Sequence, residues 1–194
     1  MELEKDTNYI VSGLERSGTS LVMQLLSAGN VPIAFDESRP PDEHNPKGYY
    51  ELEGGKIINK LMEGTFPLEK YTGKFLKITA YGLKFLPSGN YKIIYSERNI
   101  EEILDSMETM VGGIDFERNK TKESFVKLNT MIKQIIINRT DISVLFVNYN
   151  EILSKPETSI FSMYNFIGIT NIDAAKIAKA IDKKLYRQRR GYAK

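Results

Sequence analysis

Short runs of apolar residues alternate along the chain with longer segments in which apolar residues recur every three or four positions. The short runs predict β-strands and the longer segments predict amphipathic helices. The predicted strands are residues 8–12, 31–35, 74–78, 91–96 and 142–149, and the predicted helices are residues 19–28, 51–64, 100–111, 120–138, 155–166 and 173–182. The last strand, ISVLFVNY, carries a long apolar run, which is typical of a strand buried on both faces. The alternation predicts parallel βαβ units in an α/β fold, a three-layer sandwich with a central, mostly parallel sheet.

The pattern also indicates where a ligand binds. Residues 36–50 hold three prolines, a glycine and many charges, which predicts a long loop, and such loops inside compact domains are often functional. In parallel sheets, ligands bind beyond the carboxyl ends of the strands. This loop, the segment after the first strand and Arg98 after the strand at 91–96 all lie at such ends.

The loop after the first strand reads GLERSGTS and resembles the phosphate-binding pattern G-x-x-x-x-G-K-[ST]. Gly13 and Gly18 have the spacing of that pattern and Ser20 is in place, but Thr19 stands where a lysine is expected. Backbone N–H groups and the positive end of the following helix can hold an anion here. Arg16, inside the loop, is a candidate for the missing cation because its planar fork suits phosphate or sulfate oxygens.

Composition narrows the class of protein. The chain has 194 residues, 41% hydrophobic and 27% charged, which predicts one globular domain over 1–194. A net charge of +2 is too small to indicate bulk nucleic-acid binding. The absence of cysteine excludes a disulfide scaffold, a thiolate metal site and a cysteine nucleophile. We recognise no signal peptide and no run near the ~20 apolar residues that span a bilayer, so we expect a cytoplasmic protein without a membrane partner.

The sequence RSGTS after a strand resembles the 5′-phosphosulfate loop of the sulfotransferases, particularly the tyrosylprotein-type and small bacterial members. In that family a lysine or arginine at the position of Arg16 contacts the phosphosulfate, so the missing lysine is expected. The family binds the 3′-phosphate of its donor with an arginine at a strand end and a serine eight residues later. The segment YSERNIEEILDSM supplies Arg98 and Ser106 at that spacing. NPKGYYE, VNYNEILSKPETSIFSMYNFIG and LYRQR extend the resemblance over most of the chain.

The resemblance implies a P-loop NTPase-like (sulfotransferase) fold and a sulfotransferase activity. The donor would be 3′-phosphoadenosine-5′-phosphosulfate (PAPS), the product 3′-phosphoadenosine-5′-phosphate (PAP), and no metal would be required. The acceptor would be a hydroxyl or amine of a small molecule, carbohydrate or peptide, with no nucleic acid as partner. The residues expected to bind the donor are Gly13, Arg16, Ser17, Gly18, Thr19, Ser20, Arg98 and Ser106.

Catalysis requires a cation, for which Arg16 is expected, and in many relatives a general base. Tyrosylprotein-type members have a glutamate about twenty residues after the loop arginine, which the resemblance places at Glu37. Asp36 and His44, the single histidine, are alternatives. Glu15 stands where relatives usually have proline. A carboxylate facing inward would oppose anion binding, so we expect Glu15 to point outward or to pair with a cation.

Other cations are candidates for contacts with the donor or with an anionic acceptor. Arg39 and Lys47 lie in the long loop, and Arg187, Arg189 and Arg190 lie in a basic C-terminal segment. Tyr49 and Tyr50 are equally consistent with stacking on adenine and with ordinary packing.

Two other functions remain open from the sequence. The first is a P-loop kinase or NTPase, although the loop lysine is missing and Glu97 is the best candidate for a magnesium-binding acid. The second is a non-catalytic nucleotide-binding protein with the same fold. Magnesium-dependent ATP turnover would favour the first, and binding without transfer would favour the second.

Overall fold

The computed structural model describes residues 2–188 and residue 190, and a four-stranded sheet with the order β2-β1-β3-β4 lies at its centre. All three strand pairs are parallel, so the carboxyl ends of the strands lie at one edge. The predicted α/β fold with a parallel sheet is confirmed. The strands are β1 (Asn8–Gly13), β2 (Phe75–Lys77), β3 (Tyr91–Glu97) and β4 (Ile142–Asn148).

Helices cover both faces of the sheet and complete the three layers. Alternate residues of β1 point to opposite faces: Tyr9 and Val11 belong to one buried cluster with α1, α6 and α7, and Ile10 belongs to another with α3 and α4. Within the described residues, no helix is long and apolar enough to cross a membrane. The helices are α1 (Thr19–Ala28), α2 (Ile57–Met62), α3 (Ile100–Val111), α4 (Arg118–Asn138), α5 (Tyr149–Ser154), α6 (Pro156–Phe166) and α7 (Ala174–Ala178).

The elements that flank the first loop form as the sequence predicts. β1 is followed directly by the loop, and α1 occupies the predicted residues 19–28 with Gly29 as its C-cap.

The ends of α3 also agree with the sequence. The side chain of Asn99 accepts a hydrogen bond from the N–H of Glu101 at the start of α3, and Gly112 ends that helix with a φ of 66°. These boundaries depend on local capping, which is readable in the sequence.

Four predicted elements differ from the structure. The predicted helix at 173–182 is limited to α7, Ala174–Ala178. Residues 31–35 make only an isolated bridge between Ile33 and Phe75, because Pro32 has no N–H to donate. The predicted helix at 51–64 is interrupted, since Gly54 and Gly55 have φ values of 62° and 84°; a 3₁₀ turn precedes the shorter α2. β4 is an edge strand in which only Val147 is buried, so its apolar run does not mark a strand covered on both faces.

Gly29 gives a test of how tightly α1 packs on α6. A Cβ at Gly29 would lie 1.9 Å from the hydroxyl of Tyr164, which donates hydrogen bonds to the carbonyls of Leu25 and Leu26 at 3.0 and 3.3 Å. Gly29→Ala should therefore lower the free energy of unfolding by about 1–3 kcal/mol through overpacking. Urea denaturation measures this change.

The matched variant is Tyr164→Phe, which removes the hydroxyl and should cost about 1 kcal/mol. In the double variant the worst contact is absent, so the combined loss should be smaller than the sum of the two single losses. Strict additivity would contradict the proposed clash between residue 29 and the hydroxyl.

Candidate active site

A pocket of about 400 Å³ opens at the carboxyl edge of the sheet. The loop after β1 and the start of α1 form one wall, and the end of β2, the long loop, α3 and the C-terminal segment form the others. Its lining includes Gly18, Thr19 and Ser20 from the first wall and Lys77 from β2. The pocket therefore lies where ligands bind in parallel sheets.

The backbone of the first loop depends on its two glycines. A Cβ at Gly13 would lie 2.4 Å from the carbonyl oxygen of Ser96, and one at Gly18 would lie 2.2 Å from the ring of Tyr149. Gly18 has a φ of 101° and stands at the N-cap of α1. Neither a side-chain cap nor an acidic residue occupies the first turn of α1. Its backbone N–H groups and positive dipole end are thus directed at the pocket, an arrangement suited to an anion.

Three of the predicted donor-binding residues meet beside this loop. The Nε of Arg16 donates a hydrogen bond to the Oγ of Ser106 at 2.9 Å, and a terminal nitrogen of Arg98 donates to the carbonyl of Arg16 at 3.1 Å. All three line the pocket. Burial lowers the pKa of the Arg16 guanidinium, and the charge of Arg98 lowers it further. Two positive charges this close repel each other, so an anion bound between or beside them would be stabilised.

Arg98 is the most enclosed of these cations, and its side chain is 6% exposed. Its Nε donates to Glu102 at 3.0 Å, and a terminal nitrogen donates to the carbonyl of Gln188 at 3.2 Å. The rings of Tyr149 and Tyr186 lie 4.6 and 5.5 Å from its guanidinium carbon. The hydroxyl of Tyr186 also donates to Glu102, at 2.6 Å. Arg98 thus joins α3, the first loop and the C-terminal segment.

A second charged cluster lies on the other side of Ser20, and two of its members, Lys77 and Glu51, were not expected from the sequence. The Nζ of Lys77 donates to the Oγ of Ser20 at 3.0 Å, the carbonyl of Tyr49 at 2.9 Å and the carboxylate of Glu51 at 3.0 Å. Arg39 donates to the other oxygen of Glu51 at 2.9 Å and stacks 3.6 Å above the ring of Tyr49. A signal was available, because Lys77 ends an apolar strand at the ligand-binding edge.

Charge neutralisation explains the electrostatics of this cluster. Burial raises the pKa of Glu51, but Lys77 and Arg39 outweigh burial, and the pKa lies below its usual range. Burial lowers the pKa of Lys77, against the opposing effect of Glu51. Both side chains are almost fully enclosed, so each depends on the other for its charge.

Two predicted donor-binding residues shape the loop instead of lining the pocket. Gly13 lies below the loop, where its lack of a side chain lets Ser17 and Ser96 approach. The N–H of Ser17 donates to the carbonyl of Leu14 at 3.1 Å, and its carbonyl accepts from the Oγ of Ser96 at 2.8 Å. The buried hydroxyl of Ser17 has no partner among the residues that the structure describes.

The three candidates for the base are placed very differently. Glu37, the expected base, is exposed and is not among the residues that line the pocket. Asp36 accepts hydrogen bonds from the N–H groups of Glu53 and Ser38, both at 2.8 Å, and these bonds lower its pKa. It therefore holds the long loop in place. His44 lines the pocket, with its Nε2 3.6 Å from a carboxylate oxygen of Glu43.

The other basic residues expected from the sequence mostly bind backbone carbonyls of distant segments. Lys47 donates to the carbonyl of Ala180 at 2.7 Å, so it ties the long loop to the C-terminal part of the chain. Arg187 lines the pocket and donates to the carbonyl of Glu43 at 2.9 Å. Arg190 pairs with Asp105 at 2.7 Å, on α3. Arg189 lies outside the described residues.

The remaining candidates separate into pocket and packing residues. Tyr49 lines the pocket and its hydroxyl donates to Asp42 at 2.8 Å, whereas Tyr50 packs against Phe35 with ring centroids 5.2 Å apart. Glu15 is exposed at the rim of the pocket. Glu97, the acid considered for magnesium, pairs with Lys133 at 2.7 Å. No cluster of three or more His, Asp or Glu side chains suited to a metal occurs within the described ranges.

The buried contact between Arg98 and Glu102 should contribute strongly to stability. Glu102→Gln keeps the shape of the side chain but leaves Arg98 without its charged partner, so we expect a loss of about 3 kcal/mol in the free energy of unfolding. Urea denaturation measures the loss. Glu123→Gln, on an exposed position of α4, is the matched control and should change stability by less than about 0.5 kcal/mol. An equally small change for Glu102→Gln would contradict the importance of this pair.

Comparison with known proteins identifies the family of this chain. Residues 6–190 match the sulfotransferase domain family. The structure is similar to the mouse sulfotransferase SULT7A1 complexed with PAP, with a TM-score of 0.61 and 18% identity over 98% of this chain and 70% of that chain. No curated protein sequence matches the chain.

Two further solved structures share the fold. The sulfotransferase domain of the Synechococcus PCC 7002 olefin synthase has a TM-score of 0.54 and 14% identity, over 95% of this chain and 80% of that chain. The sulfotransferase domain from the curacin biosynthetic pathway has a TM-score of 0.53 and 13% identity, over 91% and 78%. At such identities the structural similarity establishes the fold alone. Because the family match extends over residues 6–190, the chain belongs to the sulfotransferase family, and sulfuryl transfer is the activity that membership implies.

Proposed function

We propose that residues 1–194 act as one sulfotransferase domain that moves a sulfuryl group from PAPS to a hydroxyl or amine. The observation that carries the proposal is the meeting of Arg16, Arg98 and Ser106 beside the uncapped start of α1. The donor has anionic groups at both ends of its nucleoside, and the pocket has a cationic or N–H donor group for each.

The roles of the donor-binding residues follow from their positions. The backbone N–H groups at Gly18, Thr19 and Ser20, with the side chain of Arg16, would hold the 5′-phosphosulfate. Arg98 and Ser106 would hold the 3′-phosphate, which would replace the hydrogen bond that Arg16 makes to Ser106 in this structure. Gly13 and Ser17 would support the loop from below.

Sulfuryl transfer breaks the bond between sulfur and the bridging oxygen of the donor, and negative charge develops on the released phosphate. Lys77 lies 3.0 Å from Ser20 at the start of α1, so it is placed to stabilise that charge together with Arg16 and the loop amides. These groups supply the positive charge that a metal would otherwise supply, so the proposed reaction requires no metal.

The acceptor belongs to the proposal only as a chemical class. A small molecule, carbohydrate or peptide with a hydroxyl or amine fits a pocket that joins charged and apolar walls, with Ile58 and Met110 among its lining residues. We propose neither a nucleic-acid nor a membrane partner. A cytoplasmic site of action is proposed because a chain without cysteine suits a reducing compartment.

The kinase or NTPase alternative is not favoured. Glu97 is committed to Lys133, and the loop lacks the lysine that reaches the terminal phosphates of a triphosphate. A non-catalytic nucleotide-binding protein shares the donor site of the leading proposal, so only turnover distinguishes the two.

Calorimetric titration with PAP, 5′-AMP and Mg-ATP tests the donor site. PAP should bind at least about tenfold more tightly than 5′-AMP, because the 3′-phosphate adds charge-assisted hydrogen bonds worth about 1.5–3 kcal/mol. Mg-ATP should also bind more weakly than PAP. Equal affinity for PAP and 5′-AMP would contradict the proposed donor, and tightest binding of Mg-ATP would favour a kinase.

Substitution of Arg98 tests the assignment of the 3′-phosphate. Arg98→Ala should weaken PAP binding about 10–100-fold and 5′-AMP binding by a clearly smaller factor, since both nucleotides depend on the loop that Arg98 supports but only PAP has the 3′-phosphate. Arg139→Ala is the matched control, because Arg139 pairs with Asp141 just before β4, at the opposite edge of the sheet. Ser106→Ala, which leaves the contact with Glu102 intact, should weaken PAP binding about tenfold. Equal weakening of both nucleotides would refute the assignment.

The exposed carboxylate of Glu15 lies at the pocket rim, and its removal should strengthen PAP binding. Glu15→Gln removes a negative charge near the donor site, so PAP affinity should rise about two- to fivefold at low salt. The gain should shrink as ionic strength increases, because solvent ions screen exposed charges. Titration of PAP at low and physiological salt measures both effects, and a decrease in affinity would show that Glu15 supports the loop.

A further inference from the structure

One acidic side chain of the pocket is buried beside the site proposed for the phosphosulfate. Among the acidic residues that line the pocket, Glu15 is exposed and Asp182 accepts a hydrogen bond from the N–H of Lys184 at 2.9 Å. Glu51 is 7% exposed. A carboxylate is rarely buried to this extent without a specific task or partner.

The position of Glu51 is set by the surrounding backbone and charges. A Cβ at Gly55 would lie 3.1 Å from one carboxylate oxygen of Glu51, so the glycine leaves room for the side chain. Lys77 holds the other oxygen at 3.0 Å and also contacts Ser20 at 3.0 Å. A single ammonium group therefore separates Glu51 from the start of α1, where the phosphosulfate is proposed to bind.

We propose that Glu51 is the general base that takes the proton of the acceptor hydroxyl or amine. This inference rests on the proposed function. The acceptor oxygen or nitrogen forms a bond to sulfur while its proton moves to a carboxylate oxygen of Glu51. The bond between sulfur and the bridging oxygen breaks, and its electron pair stays on the 5′-phosphate of PAP. The proton leaves Glu51 for solvent after product release.

Donor binding makes Glu51 available for this task. In the structure Lys77 and Arg39 both donate to its carboxylate, which weakens it as a base. The phosphosulfate offers Lys77 a new anionic partner at Ser20. When Lys77 turns to it, one oxygen of Glu51 loses a hydrogen bond and a positive neighbour, and its basicity rises.

The other candidates lack this placement. Glu37 is exposed and outside the pocket lining. His44 lines the pocket, but its Nε2 lies 3.6 Å from Glu43, whereas Glu51 contacts Lys77 directly. In this proposal Glu51, which directly follows the long loop, takes the role that the resemblance assigned to Glu37.

The test compares wild type with Glu51→Gln, Glu51→Asp, Glu37→Gln and His44→Gln. Glu63→Gln, at an exposed position near the end of α2, is the control. Calorimetry measures PAP affinity. Release of labelled sulfuryl groups from PAPS is followed with water, simple alcohols, phenols, amines, monosaccharides and hydroxyl-containing peptides as acceptors. Glu51→Gln should lower turnover about 100-fold or more without weakening PAP binding, because the variant removes a negative charge that competes with the donor for Lys77. Glu63→Gln should match wild type.

The pH profile separates a base from a residue that only positions Lys77. The charged and titratable groups facing Glu51 are Lys77 from β2, Arg39 and Tyr49 from the long loop, and Arg16 beyond Lys77. A carboxylate base works when deprotonated, so wild-type turnover should fall at acid pH. The acid limb of kcat should lie at higher pH than that of kcat/KM for PAPS, which reports the enzyme before the donor binds, because donor binding removes Lys77 from Glu51. Glu51→Gln should lack both limbs, and Glu51→Asp should retain them at a reduced rate.

Several outcomes would overturn the assignment. Wild-type turnover by Glu51→Gln, an unchanged acid limb in that variant, or a comparable loss in Glu37→Gln or His44→Gln alone would each refute it. Loss of PAP affinity in parallel with turnover would make Glu51 a support for Lys77. Failure of wild type to bind PAP would instead refute the proposed function. Tight PAP binding without turnover of any acceptor would indicate a non-catalytic protein and overturn both.

Discussion

The buried guanidinium of Arg98 is the contact on which the pocket depends. A charge removed from water is tolerated only when counter-charge and hydrogen-bond acceptors surround it. Glu102 supplies the charge, and the carbonyls of Arg16 and Gln188 supply acceptors. These partners come from α3, the first loop and the C-terminal segment. Three separate parts of the chain must therefore be in place together for Arg98 to have all its partners, so the proposed donor site depends on the same contacts that stabilise the fold.

The positive charges of Arg16 and Lys77 are less completely compensated than that of Arg98. Burial lowers the pKa of both Arg16 and Lys77, and each feels other cations nearby. Glu51 neutralises Lys77, whereas the Nε of Arg16 donates to the neutral hydroxyl of Ser106. An anion at the start of α1 would relieve this repulsion and would also satisfy the helix N–H groups. The cations and helix N–H groups are already in place in the free protein, so an anionic donor would bind without the cost of arranging them.

The sequence predicted the parts of this structure that depend on local rules. Strand β1, the glycine loop and α1 follow from residues that are neighbours in sequence, and Arg98 and Ser106 follow from one strand end and about two turns of one helix. Errors arose where tertiary context decides. The apolar run of β4 could not reveal that the strand lies at the sheet edge, and Pro32 limits 31–35 to a bridge. Lys77 and Glu51 were missed because 26 residues separate them and neither belongs to a short motif.

The two charged clusters also explain why donor binding precedes proton removal in the mechanism proposed above. Arg98 keeps its partner Glu102 because both are enclosed by Tyr149, Tyr186 and the C-terminal segment. Lys77 is different, because Ser20 and Glu51 lie on either side of the same ammonium group. An anion next to Ser20 competes directly with Glu51 for that ammonium. In the proposed mechanism Glu51 is a weaker base in the empty site than in the donor complex, so a lysine placed between Glu51 and the bound anion favours donor binding before proton removal.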